Sequence, residues 1–280
     1  MPGHDYVVQI PTDGERIEGT LVTPARQVPG VLFVHGWGGS RQQYLARARQ
    51  VAELGCICLT FDLTGHAGTL PQFETVTRER NLSDVLGAYD TLVSQRMVDP
   101  ACVAVVGSSY GGYLGAILST LRPVRWLALR APALYMDRGW ELPKLELHRT
   151  QDLVAYRRTT VPPQSNRALR ACVAFGGDAL VIESEEDSIV PHAAVNSYLE
   201  AFVHARSLTY RVIAAADHGL SDVKHQHTYS TLLLNWLSEM VSGANIAGAT
   251  SSPLPEAHAD AIPETPLPHH ADAVAEHAKE

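Results

Sequence analysis

Cysteine is scarce in this chain of 280 residues, and cysteine pairs of the kind that bind metals are missing. The four cysteines are Cys56, Cys58, Cys102 and Cys172, and none forms a CxxC pair. Cys56 and Cys58 lie two apart in an apolar run, where a strand points both side chains to one side. We therefore expect free thiols in the interior and no metal site built on cysteine.

An excess of basic charge is lacking as well. The formal net charge is -8, and the lysines and arginines form no stripe along the chain. Capture of nucleic acid or of anionic membranes depends on a clustered basic surface. We therefore expect neither nucleic acid nor membrane among the partners.

Long apolar runs are absent too. No run approaches the roughly 18 residues that a membrane span needs. The segment from Met1 to Asp5 lacks the basic stretch and following apolar stretch of a secretory signal. These observations predict a cytoplasmic protein.

The composition that is present describes a packed globular protein. Hydrophobic residues make up 45% of the chain and charged residues 19%, which is far from the signature of disorder. Length and composition predict one α/β catalytic domain over residues 1–242. Residues 243–280 mix proline, alanine and acidic residues, which predicts a flexible tail.

The order of elements predicts a doubly wound, mostly parallel sheet. Residues 5–10 and 15–23 read as two antiparallel strands joined by a turn at Thr12-Asp13-Gly14. Short apolar runs then alternate with helix-compatible segments, a pattern typical of parallel strands covered on both faces. These runs are Val31 to Val34, Cys56 to Phe61, Cys102 to Val106, Val124 to Leu129, Ala179 to Ile182 and Leu208 to Ile213.

The strand and helix rhythm breaks in one insertion, at about residues 130–163. The segment is rich in large apolar side chains, so it either forms a short cap over a pocket or connects two elements across the surface with a helix packed on the core. Its arginines suggest that it attracts a carboxylate-bearing substrate, or that it presents a solvated basic face. They are Arg138, Arg149, Arg157 and Arg158.

A candidate nucleophile lies in the stretch Gly107-Ser108-Ser109-Tyr110-Gly111. This G-x-S-x-G sequence follows a predicted strand and precedes a predicted helix, where the glycines let the backbones pass closely around a sharp turn that exposes Ser109. A glycine-rich helix start or a phosphate-binding turn is the alternative. No lysine follows as a P-loop requires, and G-x-G-x-x-G is absent, so the nucleophile is favoured.

A serine hydroxyl needs a base, and the base needs a carboxylate to orient it. Asp187 follows a predicted buried strand, at the strand end where catalytic groups gather in α/β sheets. His218 follows the next strand beside a glycine, and the order Ser109, Asp187, His218 is the one that this architecture requires. Three other acids in the same turn are rivals for this role, and each is equally compatible with an exposed carboxylate that only contacts solvent. They are Glu183, Glu185 and Glu186.

The first parallel strand ends in the glycine-rich stretch His35-Gly36-Trp37-Gly38-Gly39. Such a loop can aim the Trp37 backbone N–H at the nucleophile, where it forms an oxyanion hole together with the N–H of Tyr110 at the start of the helix after Ser109. The indole of Trp37 then walls the acyl pocket. Alternatively, the glycines only end the strand and Trp37 belongs to the core.

With these motifs in place, the chain from about Val31 to Leu237 resembles the α/β-hydrolase superfamily. The landmarks are the loop at His35, the stretch from Phe61 to Gly68, the Ser109 elbow, and the segments that begin at Asp187 and Asp217. The resemblance is to the dienelactone hydrolase, serine aminopeptidase and bacterial esterase branches. It implies the α/β-hydrolase fold and a supporting role for His35.

One landmark departs from the superfamily pattern. Members commonly show Asp-x-Arg-Gly-His-Gly after the second parallel strand, whereas Thr64 and Ala67 stand here in place of the Arg and the second Gly. That turn is expected near the rim of the pocket. The change leaves the three candidate catalytic residues untouched and makes a narrower subfamily assignment unsupported.

The leading functional hypothesis is a serine hydrolase of carboxylesterase type that acts on a small-molecule acyl substrate through a catalytic triad. It needs no metal and no organic cofactor, and a homo-oligomer is compatible with the sequence. A peptidase or thioesterase with the same catalytic groups is the alternative within enzymes. A non-catalytic member of the fold that binds a small ligand is the alternative outside them.

Overall fold

The computed structural model of this chain describes residues 4–12, 15–23 and 28–251. The strands of the described residues are β1 His4–Thr12, β2 Glu15–Thr23, β3 Val28–Val34, β4 Ile57–Phe61, β5 Val98–Ser108, β6 Trp126–Arg130, β7 Asp178–Ser184 and β8 Ser207–Ile213. The α-helices are α1 Gln42–Glu53, α2 Arg78–Val93, α3 Tyr110–Leu118, α4 Leu147–Thr150, α5 Leu153–Arg157, α6 Arg167–Ala174, α7 His192–Ala201 and α8 Val223–Ser251. Short 3-10 helices occupy Ala67–Gln72, Lys144–Glu146 and Pro163–Ser165.

The strands form a single eight-stranded sheet in the order β1-β2-β4-β3-β5-β6-β7-β8. The pairs β1·β2 and β2·β4 are antiparallel, and every pair from β4 to β8 is parallel. The predicted fold class is therefore confirmed, including the antiparallel pair at the start. The predicted turn at Asp13-Gly14 lies outside the described residues, but the register places Thr12 opposite Glu15 on either side of it.

Alternating side chains of the central strands serve two separate cores. On β3, Leu32 and Val34 pack into the larger cluster, whereas Val31 and Phe33 pack into the other one. Helices α2, α3, α6 and α7 cover the first face of the sheet, and α1 and α8 cover the second. Because both faces of β3, β4, β6 and β7 are buried, these strands appear in the sequence as continuous apolar runs rather than as an alternation of apolar and polar residues.

All four cysteines are free and buried, as expected. Cys56 and Cys58 lie in the same core cluster, on the face of the sheet covered by α1 and α8. Burial raises the pKa of the Cys56 thiol to about 12. These thiols therefore remain protonated and act as small apolar side chains.

The insertion after β6 is packed into the larger core. Tyr135, Leu147, Leu153 and Val161 are all buried there, and the short helices α4 and α5 lie within it. The predicted helix packed on the core is therefore present. Lys144 of the same segment lies over the rings of Trp37 and Tyr110, which are close to Ser109. The segment therefore packs on the core and also reaches the surroundings of Ser109.

The last helix, α8, runs to Ser251, beyond the predicted domain boundary at residue 242. The remainder of the predicted tail lies outside the described residues, so its flexibility stays a prediction. No helix in the described part of the chain is both long enough and apolar enough to cross a membrane.

Candidate active site

Ser109 occupies a strained turn between β5 and α3. Its backbone has φ 51° and ψ -116°, outside the region that L residues prefer. A Cβ at Gly107 would lie 2.5 Å from the Gly111 carbonyl oxygen, and a Cβ at Gly111 would lie 2.2 Å from the Val34 carbonyl oxygen. Only glycine fits at both positions, which explains why the serine is flanked by them.

Three side chains from distant segments meet at this turn. The Nε2 atom of His218 lies 3.0 Å from the Ser109 Oγ, and the Nδ1 atom lies 2.6 Å from the Asp187 Oδ2. His218 lies in the loop after β8 and Asp187 in the turn after β7. The parallel strands end at one edge of the sheet, and this common edge brings the hydroxyl, the imidazole and the carboxylate into one hydrogen-bonded row.

The turn after β7 holds the carboxylate of Asp187 in place. Its Oδ1 accepts hydrogen bonds from the backbone N–H groups of Ile189 and Val190, both at 2.8 Å, which leaves Oδ2 for His218. The carboxylate side chain is 1% exposed, so it is shielded from competing water. A buried acceptor with three donors is a fixed orienting group for the imidazole.

Two of the three rival acids, Glu183 and Glu185, have other partners. Glu183 is buried on β7, where it accepts hydrogen bonds from the Tyr210 hydroxyl and from His192. The interpretation of Glu183 as solvated turn charge is therefore wrong, because the strand extends to Ser184 and keeps the side chain inside. Glu185 accepts from the Ala215 N–H at 2.7 Å and braces the strand end next to the His218 loop.

Two buried histidines hold the glycine-rich loop after β3. The His35 Nε2 accepts from the Leu63 N–H at 3.0 Å, and its Nδ1 donates to the Gly36 carbonyl at 2.7 Å. The His66 Nε2 accepts from the Gly38 N–H at 2.9 Å. Burial lowers the pKa of His35 to about 3 and also lowers the pKa of His66. Both imidazoles are thus neutral acceptors that tie this loop to the turn after β4.

The turn after β4 shows what replaces the superfamily pattern. The Thr64 N–H and hydroxyl both donate to the buried Asp84 carboxylate, at 2.8 and 2.9 Å. Ala67 has φ 46°, a conformation that favours glycine, which is the residue common there in the superfamily. The backbone shape is thus present even though the residue that usually permits it is not.

Trp37 and Tyr110, whose N–H groups are predicted to form the oxyanion hole, both lie near Ser109. Tyr110 is the first residue of α3, so its N–H has no partner within the helix, and the Ser109 side chain does not cap the helix. A Cβ at Gly36 would lie only 3.9 Å from the Ser109 Oγ, which places the chain entering Trp37 directly beside the hydroxyl. The indole of Trp37 packs edge-on against Tyr110, at 5.7 Å between ring centroids.

A pocket of about 320 Å³ opens at Ser109 and His218. Gly36, Trp37, Ser108 and Arg130 are among the residues that line it. None of the four arginines singled out in the insertion lines it. Arg157 is buried instead, with its Nε donating to the Leu134 carbonyl at 3.0 Å.

Two groups of functional interest were not anticipated from the sequence. Arg130 ends the buried strand β6 in the pocket, and its only sequence signal is a cation at the end of an apolar run. Lys144 is 1% exposed and lies 4.3 Å from the centre of the Trp37 ring and 5.2 Å from that of Tyr110. Burial lowers its pKa, and the interaction with the neighbouring Tyr135 partly opposes this shift.

No group of three or more His, Cys, Asp or Glu side chains within the described ranges is arranged to hold a metal ion. The candidate catalytic groups that the described residues bring together at this edge of the sheet are the Ser109 hydroxyl, the His218 imidazole and the Asp187 carboxylate. In such an arrangement the hydroxyl proton can pass to the imidazole while the hydroxyl oxygen attacks an electrophilic carbon.

The family comparison gives a match over most of the chain. The profile of the prolyl oligopeptidase family matches residues 41–244. An uncharacterized protein of Mycobacterium tuberculosis is 33% identical over 133 residues, which are 46% of this chain and 46% of that protein. The match thus spans about half the length of this relative.

Solved structures share the architecture at low identity. A dienelactone hydrolase from Anabaena variabilis superposes with a TM-score of 0.62 at 19% identity, over 85% of this chain and 99% of that one. An acylaminoacyl peptidase from Pyrococcus horikoshii gives 0.63 at 14%, over 86% and 42%. The carboxyl esterase 2 from Tuber melanosporum gives 0.61 at 16%, over 86% and 87%. These likenesses confirm the α/β-hydrolase fold.

Proposed function

Because the chain belongs to the prolyl oligopeptidase family, whose members are hydrolases of the α/β-hydrolase superfamily, we propose that it is a serine hydrolase cleaving carboxylic esters. Ser109 is the nucleophile, His218 the general base and Asp187 the residue that orients the base. The single observation that carries this proposal is the row of two hydrogen bonds, 3.0 Å and 2.6 Å long, that joins the three side chains.

The reaction runs through an acyl-enzyme intermediate. The Ser109 Oγ attacks the ester carbonyl carbon while His218 Nε2 takes the hydroxyl proton, and the C–O bond to the alcohol breaks as His218 returns that proton to the leaving oxygen. Water then gives a proton to His218 and attacks the acyl carbon. The carboxylic acid departs, and Ser109 recovers its proton from the imidazolium.

The negative charge on the carbonyl oxygen is stabilised by two backbone donors in this proposal. The Tyr110 N–H at the start of α3 adds the favourable field of a helix N-terminus, and the Trp37 N–H, which follows Gly36 in the loop beside the Ser109 hydroxyl, is the second donor. The buried histidines His35 and His66 keep that loop rigid. Donors that are already in place need no reorganisation when the charge develops.

The size of the pocket supports a small ester as the substrate. A volume of about 320 Å³ is at the lower end of the range for small-molecule sites. A peptidase with the same catalytic groups is the second candidate. It is favoured by the family to which the chain belongs, and an acylaminoacyl peptidase is among the proteins of similar fold. The same three side chains can cleave an ester, which releases an alcohol, or a peptide, which releases an amine. The residues around the site therefore determine which substrate is preferred.

The test uses a fluorophosphonate probe and p-nitrophenyl acetate. Wild type should be labelled and should hydrolyse the ester, whereas Ser109→Ala should lose labelling and lose activity by on the order of 10⁴-fold or more. Ser94→Ala is the matched control, because Ser94 is exposed at the end of α2. An unlabelled wild type, or a labelled and active Ser109→Ala variant, refutes the proposal.

Substrate preference separates the two candidates. Turnover is compared for short-chain p-nitrophenyl esters, aminoacyl p-nitroanilides and acyl thioesters. Higher kcat/KM for the esters supports the esterase. Higher kcat/KM for the anilides establishes the peptidase instead, with the same three residues.

A further inference from the structure

The pocket beside Ser109 has an unusual charge balance. Two arginines, Arg47 and Arg130, line it, and no aspartate or glutamate is among the described residues that do so. Neither arginine forms an ion pair with a described residue. In a chain with a net charge of -8, this is a local concentration of positive charge at the reaction centre.

Arg130 is the more deeply placed of the two, at 8% exposure. Its Nε donates to the Ser108 hydroxyl at 3.2 Å, and its Nη1 donates to the Ser184 hydroxyl at 3.4 Å and to the His218 carbonyl at 2.9 Å. Three of the five N–H donors of the guanidinium are thus engaged, all by neutral oxygens. The two donors on Nη2 have no partner among the described residues.

Arg47 approaches the same part of the pocket from α1. Its guanidinium lies 4.7 Å from the centre of the Tyr229 ring, and that of Arg130 lies 5.8 Å from the same centre. Its Nε donates to the Ser230 hydroxyl at 2.9 Å, another neutral partner. The two cations therefore share one buried ring at one end of the pocket.

A buried cation with no opposite charge costs free energy, because neutral hydrogen-bond acceptors replace only part of its hydration. Proteins keep such groups where a ligand supplies the missing charge, and the planar guanidinium suits a carboxylate in particular. Arg130 contacts Ser108, the neighbour of Ser109, and the carbonyl of His218, and it lines the same pocket as Ser109, so a substrate in that pocket can meet both groups.

We propose that Arg130, assisted by Arg47, forms a subsite for a second carboxylate on the substrate, so that the preferred substrates are esters that carry a free carboxylate, such as half-esters of dicarboxylic acids. This inference rests on the proposed function. Arg130 recognises the carboxylate directly, and its hydrogen bond to the His218 carbonyl makes it a positioning residue as well.

The kinetic test compares two substrates of equal chain length, mono-4-nitrophenyl adipate and 4-nitrophenyl hexanoate. Wild type should have the higher kcat/KM for the adipate half-ester. Arg130→Gln should lower kcat/KM for the half-ester by roughly 10 to 100-fold more than for the neutral ester, the effect of losing a charge-assisted hydrogen bond. Arg47→Gln should act in the same direction with a smaller effect, and it leaves the contacts of His218 intact.

Arg158→Gln is the matched control, because Arg158 is exposed and does not line the pocket. It should keep the wild-type ratio of the two kcat/KM values. If Arg130→Gln and Arg47→Gln both leave that ratio unchanged, the arginines are structural and the subsite does not exist.

A binding measurement separates this inference from the proposed function. With Ser109→Ala, which cannot turn over, isothermal titration should show tighter binding of monomethyl adipate than of methyl hexanoate, and Arg47→Gln in that background should make the difference smaller. Equal binding of both esters overturns the subsite even where ester hydrolysis is established. Conversely, selective binding by a protein that hydrolyses neither ester supports the subsite and refutes the esterase.

Discussion

Acidification should destabilise this protein through His35, a residue that does not react. The imidazole is 1% exposed, and its neutral form both accepts from the Leu63 N–H and donates to the Gly36 carbonyl. Protonation of Nε2 would remove the acceptor and place a charge in the interior beside His66. Burial accordingly lowers the pKa of His35 from 6.5 to about 3.

The sign and size of the effect follow from the two pKa values. Below pH 6.5 the unfolded chain binds a proton at His35 that the folded chain does not bind until about pH 3, so the free energy of unfolding falls as the pH falls through this window. The slope is about 1.4 kcal/mol per pH unit. Between about pH 7.5 and about pH 5, His35 therefore lowers the free energy of unfolding by about 2 kcal/mol.

The assay is urea denaturation at these two pH values for wild type and His35→Gln. The glutamine amide oxygen can take over the acceptor role toward Leu63, and it does not titrate. The variant should be less stable than wild type near pH 7.5, and the loss on going to pH 5 should be about 2 kcal/mol smaller than in wild type. His66 still titrates in the variant, which is why the difference between the two proteins is the quantity compared.

His227→Gln is the control, since His227 is exposed on α8, and it should show the same loss as wild type. If His35→Gln loses as much stability on acidification as wild type does, the imidazole is not a neutral acceptor in the fold. Contacts other than those of His35 would then hold the glycine-rich loop.

Three further outcomes are expected. Asp187→Asn should lower kcat by about 10⁴-fold at unchanged stability, because the amide cannot hold His218 in the required tautomer; kinetics and thermal melting check this. Gly111→Ala should prevent folding of the elbow, because its Cβ would lie 2.2 Å from the Val34 carbonyl oxygen, and soluble yield and circular dichroism report it. Leu59→Ala, at a fully buried position of β4, should cost about 2 to 5 kcal/mol in urea denaturation.

A specific outcome would contradict each of these three predictions. An Asp187→Asn enzyme within tenfold of wild type would mean that another group orients the imidazole. A Gly111→Ala protein that melts like wild type would mean that the elbow is not held against β3. A Leu59→Ala protein with less than about 1 kcal/mol of destabilisation would mean that this face of the sheet is loosely packed.

Much of the fold could be predicted because it follows from local pattern. Mostly apolar runs of four to six residues are typical of strands in such a sheet, and the structure places a strand at each of them. Strand ends were less predictable: β5 begins at Val98, before the apolar run, and β7 continues to Ser184. Backbone pairing with a neighbouring strand extends these elements beyond what hydrophobicity alone indicates.

By itself, the sequence determined which residues meet at the edge of the sheet. The parallel arrangement brings every strand's carboxyl end to the same edge, so residues that follow β5, β7 and β8 must converge there, and Ser109, Asp187 and His218 are such residues. The glycines around Ser109 and the order of the three residues were local signals for this arrangement, independent of any packing detail.

Only the tertiary structure decided which acid contacts the imidazole and which cations line the pocket. Glu183 and Asp187 are close in sequence, but the strand buries one carboxylate against Tyr210 while the following turn aims the other at His218. The arginines of the insertion lie elsewhere, whereas Arg130 reaches the pocket from the end of β6. The direction of a side chain depends on strand length, turn geometry and neighbours from distant segments, and no local pattern encodes those together.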